Sequence, residues 1–141
     1  MEISQLSVCS LDTNVLLRWI LGDNPEQLEI VNKILEAKEI KKIHISNLVL
    51  VESVWVMESV YKMDRDQVAE ALEVILSYPK FSLEKDLLKQ IISIYPTKTR
   101  LSFVDIMLAV ESKINSHSPL LTFDKKLAKS WDFVYLLGLG E

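Results

Sequence analysis

Short apolar runs alternate with longer stretches of helical period along this chain. Leu6-Ser7-Val8-Cys9-Ser10-Leu11 is β-prone and predicts a buried strand ending at Asp12. Thr13 or Asn14 then caps a short helix through Val15–Ile20, which Gly22-Asp23-Asn24-Pro25 breaks. Asn24 as N-cap with Pro25 in the first turn starts a second helix, to about Ala37, that turns Leu28, Val31 and Leu35 inward. Ile43-His44-Ile45 is a brief strand, and Ser46 or Asn47 caps a third helix to about Tyr61. Asp64 caps a fourth, with Val68, Leu72, Ile75 and Leu76 at helical spacing. A short strand at Phe81-Ser82, a helix over 84–95 stopped by Pro96, and a strongly periodic helix over 102–115 follow. Pro119–Phe123 is a strand ending at Asp124, Lys125–Lys129 a short helix, and Phe133–Leu136 the last strand; residues 138–141 form a frayed tail.

Strands alternating with helices predict an α/β fold with a mostly parallel sheet. No repeat, low-complexity tract or linker splits the chain, which reads as a single domain over residues 1–141. Neither GxGxxG nor GxxxxGK[ST] occurs, which makes dinucleotide and P-loop functions poor candidates.

Composition adds limits. With 49% hydrophobic and 26% charged residues, the 141-residue chain is an ordered protein with room for a sizeable core. A mean hydropathy of +0.18 is high for this size and hints at apolar surface covered by a subunit or partner, with Trp19, Trp55 and Tyr61 as candidates. The net charge of −4 speaks against binding nucleic acid by bulk electrostatics, though not against meeting phosphates at one local site. The lone Cys9 cannot form an internal disulfide and reads as a small core residue. No apolar run approaches a membrane span, and Met1–Gln5 lacks the basic region of a signal peptide; the expectation is a soluble, cytoplasmic protein.

Four acids then stand out. Asp12 and Asp124 each follow an apolar strand, where ligands gather in open parallel sheets. Glu52 has Leu48, Val49, Trp55 and Val56 at three and four residues' remove, which puts its charge on the predicted core-facing stripe. Asp105 shares a face with Leu101, Ser102, Leu108 and Ala109 in the first turn of its helix, where the macrodipole favours the ionised form. Each has an ordinary alternative: a helix cap for Asp12 and Asp124, an inward ion pair for Glu52, a first-turn acid for Asp105. Two carboxylates about 4 Å apart repel by about 4 kcal/mol at an effective dielectric near 20, so a shared pocket calls for a cation, solvent or bound protons. Oxygen donors select Mg²⁺, Mn²⁺ or Ca²⁺, and one cysteine with two histidines makes no zinc pattern. His44 reads as a strand residue, His117 as a solvated loop residue, and Glu111 as a marginal further acid. Without a Ser–His or Cys–His pair, metal-assisted attack of water on a phosphodiester is the favoured chemistry.

These residues carry a family likeness. Leu11-Asp12-Thr13-Asn14-Val15-Leu16-Leu17-Arg18, Glu52 with Trp55-Val56, Phe103-Val104-Asp105-Ile106-Met107-Leu108-Ala109, and Thr122-Phe123-Asp124-Lys125 resemble, in order and spacing, the PIN-domain ribonucleases, most closely the VapC-type toxins of toxin–antitoxin pairs. The resemblance implies a three-layer α/β/α sandwich with a parallel sheet ordered 3-2-1-4-5, which sets Asp12 beside Asp124. It implies that Asp12, Glu52, Asp105 and Asp124 are catalytic and hold Mg²⁺ or Mn²⁺, with Asn14 and Thr122 supporting them. An RNA substrate, a small antitoxin partner and a homodimer are implied as well. Lys125 and Lys126 stand where some relatives carry a further acid; with Arg18, Lys98, Arg100 and Lys129 they are candidates for contacting RNA phosphates.

The expected function is therefore a metal-dependent endoribonuclease. A PIN-like module that binds RNA or a partner without cutting is the main alternative. A phosphohydrolase with Asp12 as nucleophile ranks lower, because Asn14 stands where that chemistry wants a second aspartate.

Overall fold

The computed structural model describes Glu2 and residues 5–138. The expected frayed tail, from residue 139 on, and part of the N-terminal pentapeptide lie outside the described residues. The chain divides into two compact units, Met1–Lys85 and Asp86–Glu141.

The first unit holds β1 (Val8–Ser10), α1 (Thr13–Leu21), α2 (Pro25–Glu36), β2 (Lys42–His44), α3 (Asn47–Ser59), α4 (Arg65–Ser77) and β3 (Phe81–Ser82). Its strands form a parallel ladder in the order β1-β2-β3, with Cys9 opposite Ile43 and Ile43 opposite Phe81. The core is aliphatic around the central strand: Leu16, Leu17, Leu35, Ile43, Leu50, Met57, Leu72 and Ile75 are all fully buried, each worth about 1.5–3 kcal/mol of transfer free energy. Trp19 is half-buried and packs edge-on against Tyr78 and Phe81, at 5.3 and 5.2 Å between centroids. It is part of an aromatic cluster rather than of a bare surface.

Local chemistry accounts for the helix boundaries. Asn24 accepts from the Gln27 amide with Pro25 in the first turn, and Ser46 accepts from Val49. Asp64 and Gln67 close a reciprocal capping box. Gly22, at φ 61°, ends α1 in the left-handed region, where a side chain would be strained. The last carbonyls of α2 are met from β3's flank: Lys80 Nζ donates to the Leu35 and Ala37 carbonyls at 2.6 and 2.8 Å.

The second unit holds α5 (Lys85–Ile94, whose first residue closes the first unit), α6 (Phe103–Ile114), β4 (Leu120–Thr122), α7 (Lys125–Ser130) and β5 (Val134–Leu136). β4 and β5 pair in parallel, Leu121 opposite Tyr135. Leu88, Ile91, Tyr95, Phe103, Ile106 and Val110 are buried, and Tyr95 meets Phe103 edge-to-face at 5.7 Å.

The fold is α/β with parallel strands, as expected. The two ladders reproduce 3-2-1 and 4-5. The 1–4 neighbourhood belongs to neither ladder, so the single five-stranded sheet rests on the family resemblance alone. Among the described residues, no helix is long and apolar enough to cross a membrane.

Candidate active site

Asp12 and Glu52 belong to the first unit, Asp105 and Asp124 to the second. Asp12 leaves β1 in extended conformation and is itself the cap of α1, in place of the expected Thr13 or Asn14: its Oδ1 accepts from the Val15 amide at 3.0 Å. The side chain is exposed. A cavity of about 290 Å³ opens beside it, lined by Asp12, Asn14, Val15, Arg18, Gln27, Ile30 and Val31. Asn14 is exposed on the same cavity and makes no side-chain hydrogen bond among the described residues.

Glu52 departs from its expected face. α3 buries Val49, Leu50, Ser53, Val54 and Met57, whereas Glu52 is exposed between Leu48 (67% exposed) and Trp55 (64%). The helix is apolar nearly all round, so apolar neighbours at three and four residues' remove could not tell the core side from the solvent side.

In the second unit Asp105 is half-buried and closes a capping box at the start of α6. Its amide donates to Ser102 Oγ at 3.1 Å, and its Oδ2 accepts from the Ser102 amide at 3.3 Å. Asp124, also half-buried, caps α7: Oδ1 accepts from the amides of Lys126 (2.8 Å) and Leu127 (3.2 Å). The Thr122 hydroxyl accepts from the Asp124 amide at 3.0 Å, which braces the turn that carries the acid.

Three of the four acids thus spend one oxygen on a helix start and leave the other without a hydrogen bond among the described residues. None of the four is ion-paired there. Hard, anionic, partly solvated oxygens fit a divalent cation. Among the described residues, no three or more His, Cys, Asp and Glu side chains form a ready-made metal cage. Cys9 is no nucleophile in waiting, since burial pushes its thiol pKa up.

The cationic candidates separate. Arg18 is held inside the first unit by a triangle that no sequence pattern announces: it pairs with Asp23 at 3.4 Å and donates to the Tyr61 hydroxyl at 3.1 Å, and that hydroxyl donates to Asp23 at 2.6 Å. The Tyr61 hydroxyl, followed by the Arg18 charge, holds the Asp23 carboxyl below its ordinary pKa against the opposing effect of desolvation. No periodicity could reveal partners 38 and 43 residues apart. Lys98, Arg100, Lys125, Lys126 and Lys129 instead line one cavity of the second unit.

Strand-end aspartates, capped helices and parallel ladders define a class, and comparison with known proteins agrees. The PIN domain family model matches residues 10–130, and the chain belongs to that family. It is similar to a VapC ribonuclease of Aquifex aeolicus (strain VF5), 28% identical over 122 residues that cover 84% of this chain and 89% of that protein. No solved structure matches.

Proposed function

We propose that this protein is a metal-dependent endoribonuclease of the VapC type. One observation carries the reading: in a PIN-domain chain, all four acids singled out in the sequence are without an ion-pair partner among the described residues. Asp12, Asp105 and Asp124 act as the more direct ligands of Mg²⁺ or Mn²⁺, each with its uncommitted oxygen. Glu52 acts through water or orients the attacking water. Mg²⁺ needs only one or two carboxylates, with waters and substrate phosphates completing its octahedron, so a preformed cage is not required. When bound, the ion supplies Lewis acidity to the phosphate and lowers the pKa of water. The chain's own contribution is to hold the acids rigid through their caps and to keep Asp124 in place through Thr122.

Within this reading the protein is the toxin of a toxin–antitoxin pair, working in the cytoplasm and held inactive by a small antitoxin. A homodimer completes it, and the exposed Leu48, Trp55 and Val60 on and just after α3 support such covered apolar surface.

Asparagine caps a helix as well as aspartate does at position 12, and at position 105 its amide oxygen can still accept from the Ser102 amide, so Asp12→Asn and Asp105→Asn separate chemistry from folding. Each is expected to keep the wild-type circular dichroism and melting temperature and to lower Mn²⁺-dependent RNA cleavage by about 100-fold or more, the range expected when a group that stabilises the transition state is removed. Calorimetric titration with Mn²⁺ should lose the same binding event in both variants. Undiminished cleavage by either purified variant refutes the assignment. Wild-type protein that retains RNA in Mg²⁺ and Mn²⁺ but never cuts it would establish the non-catalytic module instead.

A further inference from the structure

The second unit concentrates its positive charge. Residues 86–141 carry seven Lys and Arg against six Asp and Glu, and five of the seven line a single cavity of about 440 Å³: Lys98, Arg100, Lys125, Lys126 and Lys129. No acid shares that lining, and the hydroxyl-bearing Thr97, Thr99 and Ser130 complete it, with Leu101 as the one apolar member. Like charges gathered around one cavity repel one another, and an anion among them offsets that repulsion. Lys98 is not loose: its ammonium lies 5.3 Å from the centroid of Trp131, whose ring stacks on Phe133 at 5.7 Å.

The lining comes from two segments. One is the loop between α5 and α6, just ahead of the Ser102–Asp105 capping box; the other is α7, which begins directly after Asp124. The segments that build the cavity are therefore those that deliver both of this unit's candidate catalytic acids. The polar groups that line the cavity are amines, a guanidinium and hydroxyls, which suit phosphate oxygens.

We infer that this cavity is a docking site for a backbone phosphate of the RNA strand, near but not at the scissile bond; the inference rests on the nuclease reading above and supplies its substrate anchor. In a chain of net charge −4 it gathers positive charge locally where RNA phosphates can dock.

The test uses the intact protein in EDTA, so that binding is read without cleavage. Fluorescence anisotropy of a labelled single-stranded RNA is followed through a salt series for wild type, for the triple variant Arg100→Gln/Lys125→Gln/Lys126→Gln, and for Lys33→Gln as a charge control outside the cavity. Lys98 is left intact to preserve its contact with Trp131. We expect the triple variant to bind at least tenfold more weakly than wild type. Its plot of log affinity against log salt should be shallower by about 0.7 for each phosphate that the variant no longer neutralises, with the control unchanged. In Mg²⁺, KM should rise about as much as affinity falls, with kcat within about twofold.

Affinity and slope equal to wild type in the triple variant overturn the inference while leaving RNA cleavage, if present, intact. RNA binding that depends on the cavity in a protein that never cuts supports the inference and sinks the nuclease reading. Poly-glutamate or inorganic phosphate binding with the same variant dependence, while RNA binding is indifferent to the variant, assigns the cavity to another anion and overturns it.

Discussion

Two carboxylates show how differently one residue type can be used here. Asp12 offers one oxygen to its helix and turns the other outward, whereas Asp23 is engaged on both sides by Tyr61 and Arg18. The hydroxyl of Tyr61 is the larger cause of the lowered Asp23 pKa. A depressed carboxyl pKa stabilises the fold above its unfolded value of 3.8, and that contribution is lost as pH falls through the lower folded value. Tyr61→Phe should therefore move the Asp23 titration up toward 3.8, read by NMR of the carboxyl carbon, and narrow the acid side of the stability profile. An unmoved titration would assign the shift to Arg18 and the backbone hydrogen bond instead. None of this is legible in the sequence, because the triangle joins α1, the turn after Gly22 and the segment following α3 through tertiary packing.

Among the elements, those with strong end signals are readable and those without are not. Asn24-Pro25, Asp64 with Gln67, and Ser102 with Asp105 each combine a cap with an apolar period, and the structure places those helix starts as expected. The expected start of α1 differs from the observed one by one or two residues because Asp, Thr and Asn stand in a row and all cap well. α3 carries no such guide to its faces, and Glu52 lies on the opposite one from that expected. The same helix buries the Ser53 hydroxyl, in a site 1% exposed, with no hydrogen-bond partner among the described residues. An unpaired buried hydroxyl is costly, and alanine is the better helix former. Ser53→Ala should raise stability by about 1 kcal/mol in denaturant unfolding; a loss of stability would mean that the hydroxyl is bonded after all.

For the molecule as a whole, charge is unevenly shared: residues 1–85 carry nine Lys and Arg against fourteen Asp and Glu, the remainder seven against six. The family match runs across both units. Each unit closes its own core with protein side chains, and the starts of α1, α6 and α7 are met by protein groups. Chelation with EDTA should thus abolish cleavage while shifting the melting temperature by less than about 2 °C, whereas added Mn²⁺ should raise it in proportion to occupancy. Collapse of the fold on chelation would make the metal structural. The α/β class is legible in the sequence because it lies in local patterns, and the four candidate acids stand out there for the same reason. Charge pooling around the α5–α6 loop and α7 is visible there only as scattered lysines, since it takes the folded chain to gather residues 98–100 and 125–129 around one cavity.

The helix starts at Asp12 and Asp124 have a bearing on how such a chain would decay. A lineage freed from the need to cut could discard the negative charge at once, yet it would still have to begin those two helices. Descendants without activity should then carry asparagine or serine at these sites far more often than alanine, leaving a fossil of the original acid in the backbone's own requirements.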